Sequence, residues 1–246
     1  MSTDATGPVA VVTGGSGGIG SAIIRDLLAH DYRVVAVVRR SAPEPVPGAT
    51  YLEADVSSSS DMDGVAERLV AEFGRVDVLV TSAAVLRSAP IHATSEQLWD
   101  EVIDTNLKGV FLSCRAVLPT MIAAGSGSII NLSSVHAVAT VKGTGAYAAT
   151  KGAIVSLSRQ MAVEYADDGI RVNSLIVGSV DTAMTDLHRE FTARDGISLT
   201  PPAGRIGRMA QPDEIAKAVR FLAGDDSSFV TGSALTIDGG LLSVLM

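Results

Sequence analysis

Residues 9–20, VAVVTGGSGGIG, join an apolar run to a glycine-rich turn. The run at residues 9–12 predicts a buried first strand, and a helical pattern follows the turn. Gly14, Gly18 and Gly20 carry no side chains, so the backbone can approach a pyrophosphate, and the helix N-terminus offers free N–H groups. The spacing differs from the usual Gly-x-Gly-x-x-Gly, and a tight turn is the alternative interpretation. Placement directly after the first strand favours a dinucleotide site.

Strand-like runs alternate with helical patterns along the whole chain. Strands are predicted at residues 9–12, 33–38, 50–53, 76–80, 128–132, 171–177 and 234–237. Helices are predicted at residues 21–30, 61–73, 98–124, 147–165 and 213–223, the third of them with a break near its start. This alternation indicates an α/β fold, a doubly wound, mostly parallel seven-stranded sheet with helices on both faces. A length of 246 residues fits a single domain that spans residues 1–246.

Composition excludes several classes of function. The net charge of -8 argues against a nucleic-acid partner, which usually needs a basic surface. The start of the chain lacks the basic residues of a signal peptide, and no uninterrupted apolar run reaches the roughly 18 residues of a membrane helix. The single cysteine, Cys114, suits a reducing compartment, and its apolar surroundings favour a buried, inert thiol. We therefore expect a cytoplasmic protein without membrane or nucleic-acid partners, and we assign no metal ligands.

The end of the second strand bears on the choice of cofactor. An acidic residue there would bind the ribose 2′-hydroxyl of NAD, but this chain has Arg39 and Arg40, with no acid before Glu44. A guanidinium suits a 2′-phosphate, so we predict NADPH/NADP+ rather than NADH, unless both arginines are only solvated surface charges. Asp55 and the adjoining Val56 follow the third strand, where they can meet an adenine edge; capping of the next helix is the alternative for Asp55.

Tyr147 and Lys151 lie four residues apart, which places their side chains on one face of a helix. A free tyrosine has a pKa of about 10, and a cation held close favours the phenolate and lowers that pKa. The phenol could then pass protons near neutral pH. Ser134, thirteen residues before the tyrosine, could hold a carbonyl oxygen while charge develops on it. Taken alone, Tyr-x-x-x-Lys also occurs by chance on surface helices.

The combined motifs resemble the short-chain dehydrogenase/reductase family. They are Thr13-Gly14-x-x-x-Gly18-Ile19-Gly20, Asn106, Ser134, Tyr147 and Lys151, and the likeness continues to Thr231-Gly232 and Asp238-Gly239-Gly240. The resemblance implies a Rossmann fold and an oxidoreductase. It implies that Tyr147 donates the proton in ketone reduction, and that Lys151 binds the nicotinamide ribose and lowers the tyrosine pKa. Ser134 would hold the substrate carbonyl, with Ser133 as its rival, and Asn106 would support a water relay behind the lysine.

The same resemblance implies the cofactor contacts. They are Gly14, Ser16, Gly17, Gly18, Ile19, Arg39, Asp55, Val56, Ser82, Ala83, Tyr147, Lys151, Val180 and Thr182. The chain departs from the family where the usual Asn-Asn-Ala-Gly is replaced by Thr81-Ser82-Ala83-Ala84. Small residues there keep room for the adenine ribose, but the amides that brace the sheet are missing.

Residues 207–240 most resemble the 3-oxoacyl-acyl-carrier-protein reductase branch, which implies NADPH-dependent reduction of a β-ketoacyl thioester. An alcohol, sugar or small-ketone dehydrogenase is the alternative enzyme, and a non-catalytic dinucleotide-binding sensor is the alternative of another class. An acyl carrier protein partner would need basic docking residues, for which the candidates are Arg171, Arg189, Arg194, Arg205 and Arg208. The resemblance also implies a homotetramer that buries the apolar residues 241–246. His136 lies near the predicted pocket, either contacting substrate or satisfied within its loop.

Overall fold

The computed structural model describes residues 7–40, 44–186 and 204–243. Seven strands form one sheet, and every registered pair of neighbours is parallel. The strands are β1 (Val9–Thr13), β2 (Arg33–Val38), β3 (Thr50–Glu53), β4 (Val78–Thr81), β5 (Gly127–Ser134), β6 (Ile170–Val177) and β7 (Ala234–Ile237). Their order across the sheet is β3-β2-β1-β4-β5-β6-β7. The prediction of a mostly parallel sheet is confirmed.

Helices cover both faces of this sheet. They are α1 (Gly18–Leu28), α2 (Ser59–Phe73), α3 (Glu96–Ile103), α4 (Gly109–Ala124), α5 (Gly145–Glu164) and α6 (Pro212–Ala223). Alternate residues of β1 enter different cores: Val9 and Val11 pack with α2, α4 and α5, whereas Ala10 and Val12 pack with α1 and α6. Because both faces are buried, the strand is apolar throughout, as parallel strands usually are. This is the doubly wound Rossmann arrangement predicted from the sequence.

The strand order reverses between β1 and β4. In open parallel sheets, ligands bind beyond the carboxyl ends of the strands at such a switch point. The glycine-rich turn follows β1, and the segment that starts at Ser82 follows β4. The Thr13 hydroxyl accepts hydrogen bonds from the amides of Ser82 and Ala83, at 3.2 and 3.4 Å, and joins the two segments. The fold therefore opens its ligand crevice beside the glycine-rich turn.

Two element boundaries differ from the predicted ones in ways that affect the site. Strand β5 continues two residues beyond the predicted end, to Ser134, so both Ser133 and Ser134 belong to the strand. The predicted long helix is interrupted by a π-helical turn at Asp104–Lys108, between α3 and α4. Such turns are rare and occur often at functional sites.

Among the described helices, the run Glu96–Ala124 alone is long and apolar enough to cross a membrane, by length and composition only. Half of its most apolar window is buried inside the fold. Val110, Cys114 and Val117 belong to the core on one face of the sheet. Its apolar composition is accounted for by packing against the sheet.

Candidate active site

Helix α5 carries Tyr147 and Lys151 one turn apart, and both side chains line a cavity of about 980 Å³. The cavity lies along the carboxyl ends of the strands and also reaches Ser134. Its size is near the upper end of about 300–1,000 Å³ that is common for ligand pockets. Lys151 is only 4% exposed, and its Nζ donates a hydrogen bond to the carbonyl oxygen of Leu132 at 2.8 Å. The pair predicted from the sequence therefore shares one wall of this cavity.

Two adjacent serines end β5, and they have different partners. The Ser133 hydroxyl donates to the carbonyl oxygen of Lys151 at 2.8 Å and is buried. The Ser134 hydroxyl accepts the amide of His136 at 3.3 Å and hydrogen-bonds the Tyr147 phenol. Because only Ser134 engages the phenol, the geometry favours it over Ser133 for holding a carbonyl oxygen.

The electrostatics of the pair differ from the expectation. The Tyr147 ring faces the cavity, but protein surrounds its other sides, and this desolvation raises its pKa to about 12 against the lowering effect of the Ser134 hydrogen bond. Burial lowers the pKa of Lys151 to about 8. In the protein alone the net pKa of the phenol is raised rather than lowered, because desolvation is the largest contribution. Desolvation outweighs the hydrogen bond, and the ammonium is bonded to the Leu132 carbonyl rather than to the phenol.

Asn106 lies in the π-helical turn and is fully buried. Its amide group pairs with the backbone of Val85, accepting the N–H at 2.8 Å and donating to the carbonyl at 2.9 Å. It also donates to the Thr150 hydroxyl on α5 at 3.5 Å. The neighbouring Thr105 lines the cavity, whereas Asn106 does not. Asn106 thus ties the segment after β4 to the helix of Tyr147, and its part in a proton relay stays a prediction.

The glycine-rich turn has the shape that a pyrophosphate requires. Gly14 has a φ of +69°, and a Cβ there would lie 2.7 Å from the backbone of Ala83. A Cβ at Gly18 would lie 2.9 Å from the Thr182 methyl carbon. Helix α1 starts at Gly18, and its N-cap, Gly17, gives it no side-chain cap, so the first amides and the positive dipole end face the cavity. These residues fit a dinucleotide.

The predicted cofactor contacts all line the same cavity: Gly14, Ser16, Gly17, Gly18, Ile19, Arg39, Asp55, Val56, Ser82, Ala83, Tyr147, Lys151, Val180 and Thr182. Arg39 is exposed and has no hydrogen-bond or ion-pair partner within the described part of the chain, whereas Arg40 does not line the cavity. The alternative role of Asp55 as a helix cap is wrong, because Ser58 caps α2. One Asp55 oxygen accepts the amide and hydroxyl of Ser57, at 2.9 and 2.6 Å.

A family model described as "Enoyl-(Acyl carrier protein) reductase" matches residues 14–242. The chain belongs to the short-chain dehydrogenase/reductase family. It is 35% identical to 2-(R)-hydroxypropyl-CoM dehydrogenase of Xanthobacter autotrophicus over 96% of this chain and 99% of the relative. It is also 35% identical to a 3-oxoacyl-acyl-carrier-protein reductase of Thermotoga maritima over 96% of this chain and 98% of the relative. The structure of ligand-free aldohexose dehydrogenase of Thermoplasma acidophilum superposes with a TM-score of 0.91 at 30% identity, covering 99% of this chain and 97% of that one.

Membership in the short-chain dehydrogenase/reductase family makes the protein an oxidoreductase that acts on CH–OH or C=O groups of a small-molecule substrate with an NAD(P) dinucleotide. The cavity combines the two parts that this chemistry needs. The glycine-rich turn lies along the wall formed after β1, and Ser134, Tyr147 and Lys151 lie along the wall formed by β5 and α5.

Three buried polar side chains that were not predicted from the sequence form a hydrogen-bonded network next to the site of this short-chain dehydrogenase/reductase. The Thr81 hydroxyl donates to Asn131 Oδ1 at 2.8 Å, and Asn131 Nδ2 donates to the Ser158 hydroxyl at 2.9 Å. These two hydrogen bonds link β4, β5 and α5. The strands are therefore still cross-linked by side chains, although Thr81 replaces the amide that is usual in the family. The sequence feature that could have indicated this network is the polar Asn131 within the apolar run of β5, because a buried amide needs hydrogen-bond partners.

Proposed function

We propose that this protein is an NADPH-dependent ketone reductase in which Tyr147 protonates the carbonyl oxygen. The observation that carries the proposal is the meeting of Ser134, Tyr147 and Lys151 on the wall of a cavity that also contains the glycine-rich turn and Arg39. A proton donor, a hydrogen-bond donor for the carbonyl and a dinucleotide cradle are the parts that the reaction requires.

Ser134, Tyr147 and Lys151 each have a separate role in the proposed reaction. When bound, the nicotinamide supplies a hydride to the carbonyl carbon. The Ser134 hydroxyl orients the carbonyl oxygen and stabilises the negative charge that develops on it. The Tyr147 hydroxyl gives its proton to that oxygen, which leaves an alcohol and a phenolate. Lys151 is held within the same wall, and its positive charge stabilises the phenolate. In the reverse direction the phenolate accepts the proton of an alcohol.

The preference for NADPH rests on Arg39. Its guanidinium stands at the cavity edge at the end of β2, without a hydrogen-bond or ion-pair partner in the described ranges. No acidic residue from the β2 end lines the cavity there, so nothing described in that position would favour a ribose 2′-hydroxyl over a 2′-phosphate.

The leading substrate proposal is a β-ketoacyl thioester. The relative from Thermotoga maritima supports it by its name, and the cavity lining includes apolar side chains that suit an acyl chain, namely Leu86, Val141, Met184, Leu241 and Leu242. A carrier-bound substrate would need exposed basic docking residues. Arg171 is unsuited, because its guanidinium is partly buried and donates to Ser227 and to the Gly224 carbonyl.

The remaining candidate docking arginines differ in whether they are paired and exposed. Arg208 is paired with Glu214 at 2.7 Å, whereas Arg205 is exposed at the cavity edge. Arg189 and Arg194 lie outside the described residues. Arg205 is therefore the basic residue that best suits an acidic carrier among those described.

A small hydroxyketone, sugar or alcohol is the second candidate substrate. The supporting observation is that two polar residues, His136 and Thr140, line the cavity beside Tyr147. The name of the structural neighbour from Thermoplasma acidophilum, an aldohexose dehydrogenase, points the same way.

One assay separates these proposals. The purified protein is incubated with NADPH or NADH and with free β-ketoacyl thioesters, the same acyl groups on a carrier protein, and small ketones. We expect oxidation of NADPH faster than that of NADH, with the β-ketoacyl thioesters turned over best. Equal rates on free and carrier-bound thioesters would remove the carrier from the proposal. Dinucleotide binding without turnover of any ketone or alcohol would indicate the non-catalytic sensor instead.

We also propose a cytoplasmic homotetramer of a single-domain chain. Cys114 is free and buried, and burial raises its thiol pKa to about 12, which supports the prediction of an inert thiol in a reducing compartment. Leu241 and Leu242 line the cavity, whereas residues 244–246 lie outside the described residues. Sedimentation equilibrium measures the oligomeric state, and a monomer would contradict the tetramer.

A further inference from the structure

Gly109 begins helix α4, directly after the π-helical turn, and it is buried. A Cβ at this position would lie 2.8 Å from Val56 Cγ2 and 3.2 Å from Val56 Cβ, whereas non-bonded carbon atoms pack best at about 3.5–4.0 Å. Val56 lines the cavity and Gly109 does not, so the glycine meets the valine from the protein side. The absence of a side chain at Gly109 therefore leaves room for Val56.

The backbone of Gly109 is held by hydrogen bonds at both of its polar groups. Its N–H donates to the carbonyl oxygen of Asp104 in the π-helical turn. Its carbonyl oxygen accepts the Ser113 hydroxyl at 2.7 Å, and Ser113 is only 1% exposed. Moving the start of α4 away from Val56 would break these bonds, and a buried polar group left unpaired is costly. The helix is therefore held against the valine.

The backbone around Val56 is fixed as well. The Asp55 amide donates to the Asp61 carboxylate on α2 at 2.9 Å. The Ser57 amide donates to Asp55 Oδ1, also at 2.9 Å. Val56 lies between these two anchored residues. If Gly109 gained a methyl group, the part of the contact left to move would be the Val56 side chain.

The Val56 side chain has one open side. It is only 8% exposed and belongs to the core on one face of the sheet, and its remaining surface lines the cavity. A valine has few staggered rotamers, so a rotation away from α4 turns a methyl group towards the cavity. This rotation costs little in the protein without ligand. It becomes an overlap when a ligand fills the same volume, and overpacking is destabilising.

We propose that Gly109 is a positioning residue for the adenine half of the dinucleotide: its missing side chain lets Val56 stand back and keeps that end of the cavity wide enough for the adenine ring. The inference rests on the proposed contact between Val56 and adenine, and it concerns cofactor binding rather than the carbonyl reaction. Gly109 acts through Val56 and touches no reacting atom.

The first test measures binding of ADP-ribose 2′-phosphate, which is NADPH without its nicotinamide, by isothermal titration. We expect Gly109→Ala to raise its Kd about 5- to 100-fold, while urea unfolding of the unliganded variant stays close to that of wild type. Gly64→Ala on α2 is the matched control and leaves the Kd unchanged, because a Cβ there meets nothing within 4 Å.

The same measurements can contradict the inference. A loss of stability in Gly109→Ala with an unchanged Kd would mean that the glycine serves core packing alone. Failure of this variant to fold would show that its strain is not relieved into the cavity, which also overturns the proposal. If the wild type binds neither ADP-ribose nor its 2′-phosphate, the proposed dinucleotide site fails instead.

The second test asks whether the added methyl group acts through Val56. Val56→Ala removes the two methyl groups that Gly109→Ala would displace. Adding Gly109→Ala to Val56→Ala should therefore leave the Kd within about 2-fold of that of Val56→Ala alone, because the two changes share one contact. A further loss of affinity as large as in the wild-type background would show that the methyl group acts on another part of the chain, and the proposal would be wrong.

Discussion

The ammonium nitrogen of Lys151 lies 5.4 Å from the centre of the Tyr147 ring. Lys151 is buried, and protein encloses the Tyr147 ring except where it faces the cavity. Desolvation moves their pKa values towards the neutral forms, to about 12 for the phenol and about 8 for the amine. Desolvation favours an uncharged pair, whereas the proposed mechanism requires a phenolate beside an ammonium. The free-energy difference between the neutral and the charged pair can be measured through the pH dependence of the free energy of unfolding and through the catalytic rate.

Lys151 makes stability depend on pH above neutrality. Its pKa is lowered from 10.5 to about 8, so between these values the unfolded chain holds a proton that the folded chain has released. The free energy of unfolding contributed by this group therefore rises from pH 8 to pH 10.5 and falls as pH drops through 8. At about 1.4 kcal/mol per pKa unit, the rise is on the order of 3 kcal/mol.

Urea unfolding of wild type and Lys151→Met across this range isolates the effect. The difference between the two curves cancels the opposing contributions of Tyr147 and Cys114, whose raised pKa values reduce stability at high pH. We expect the wild type to gain stability relative to the variant as pH increases. If the free energies of unfolding of wild type and variant changed with pH in parallel, the amine would not be desolvated, contrary to what the structure indicates.

Tyr147→Phe should remove most of the turnover while leaving cofactor binding nearly unchanged. The phenol contributes the proton, and general acid catalysis is typically worth about 10²–10⁴-fold in rate. The rest of the ring is kept, so the cavity wall and its contact with His136 should persist. Steady-state kinetics with the best ketone measure the rate, and fluorescence titration with NADPH measures binding. A variant that keeps most of the wild-type rate would rule out Tyr147 as the proton donor.

The adjacent serines should separate catalysis from stability. Ser134→Ala removes the hydroxyl that bonds Tyr147, and loss of one donor to a developing oxyanion lowers kcat by about 10²–10³-fold. Ser133→Ala removes a buried bond to the Lys151 carbonyl, which should reduce the free energy of unfolding by about 1 kcal/mol with kcat within a few-fold of wild type. Kinetics and urea unfolding on both variants make the comparison. The reverse pattern would assign the carbonyl contact to Ser133.

Most of the fold follows from patterns that sequence reasoning can detect. Strands β2, β3 and β7 have the predicted limits. Strand β4 starts later than predicted, at Val78, and the carboxylate of Asp77, just before it, accepts the amide of Val9 at 2.7 Å. Local hydrophobicity does not reveal such a bond between residues far apart in sequence.

The site could be predicted where a residue type itself carries the chemistry, as for Tyr147 and Ser134. It could not be predicted where burial decides the outcome. The phenol pKa depends on how much protein surrounds the ring, and spacing along a helix does not report this. The hydrogen bonds of Asn131 could not be predicted for a similar reason, since its partners Thr81 and Ser158 lie 50 and 27 residues away in the sequence.

Arg39 should determine the cofactor preference, with Arg40 as the matched control. Both arginines are exposed at the end of β2, but only Arg39 lines the cavity. A charge-assisted bond to a 2′-phosphate is worth about 1.5–3 kcal/mol, so Arg39→Ala should weaken NADPH binding about 10- to 100-fold and leave NADH binding unchanged. Added salt should narrow the difference between wild type and variant, because an exposed charge pair is screened. Isothermal titration with each dinucleotide measures both affinities, and Arg40→Ala should match the wild type. If both variants bind NADPH as tightly as the wild type does, the two arginines are surface charges, and the preference for NADPH has to come from elsewhere in the chain.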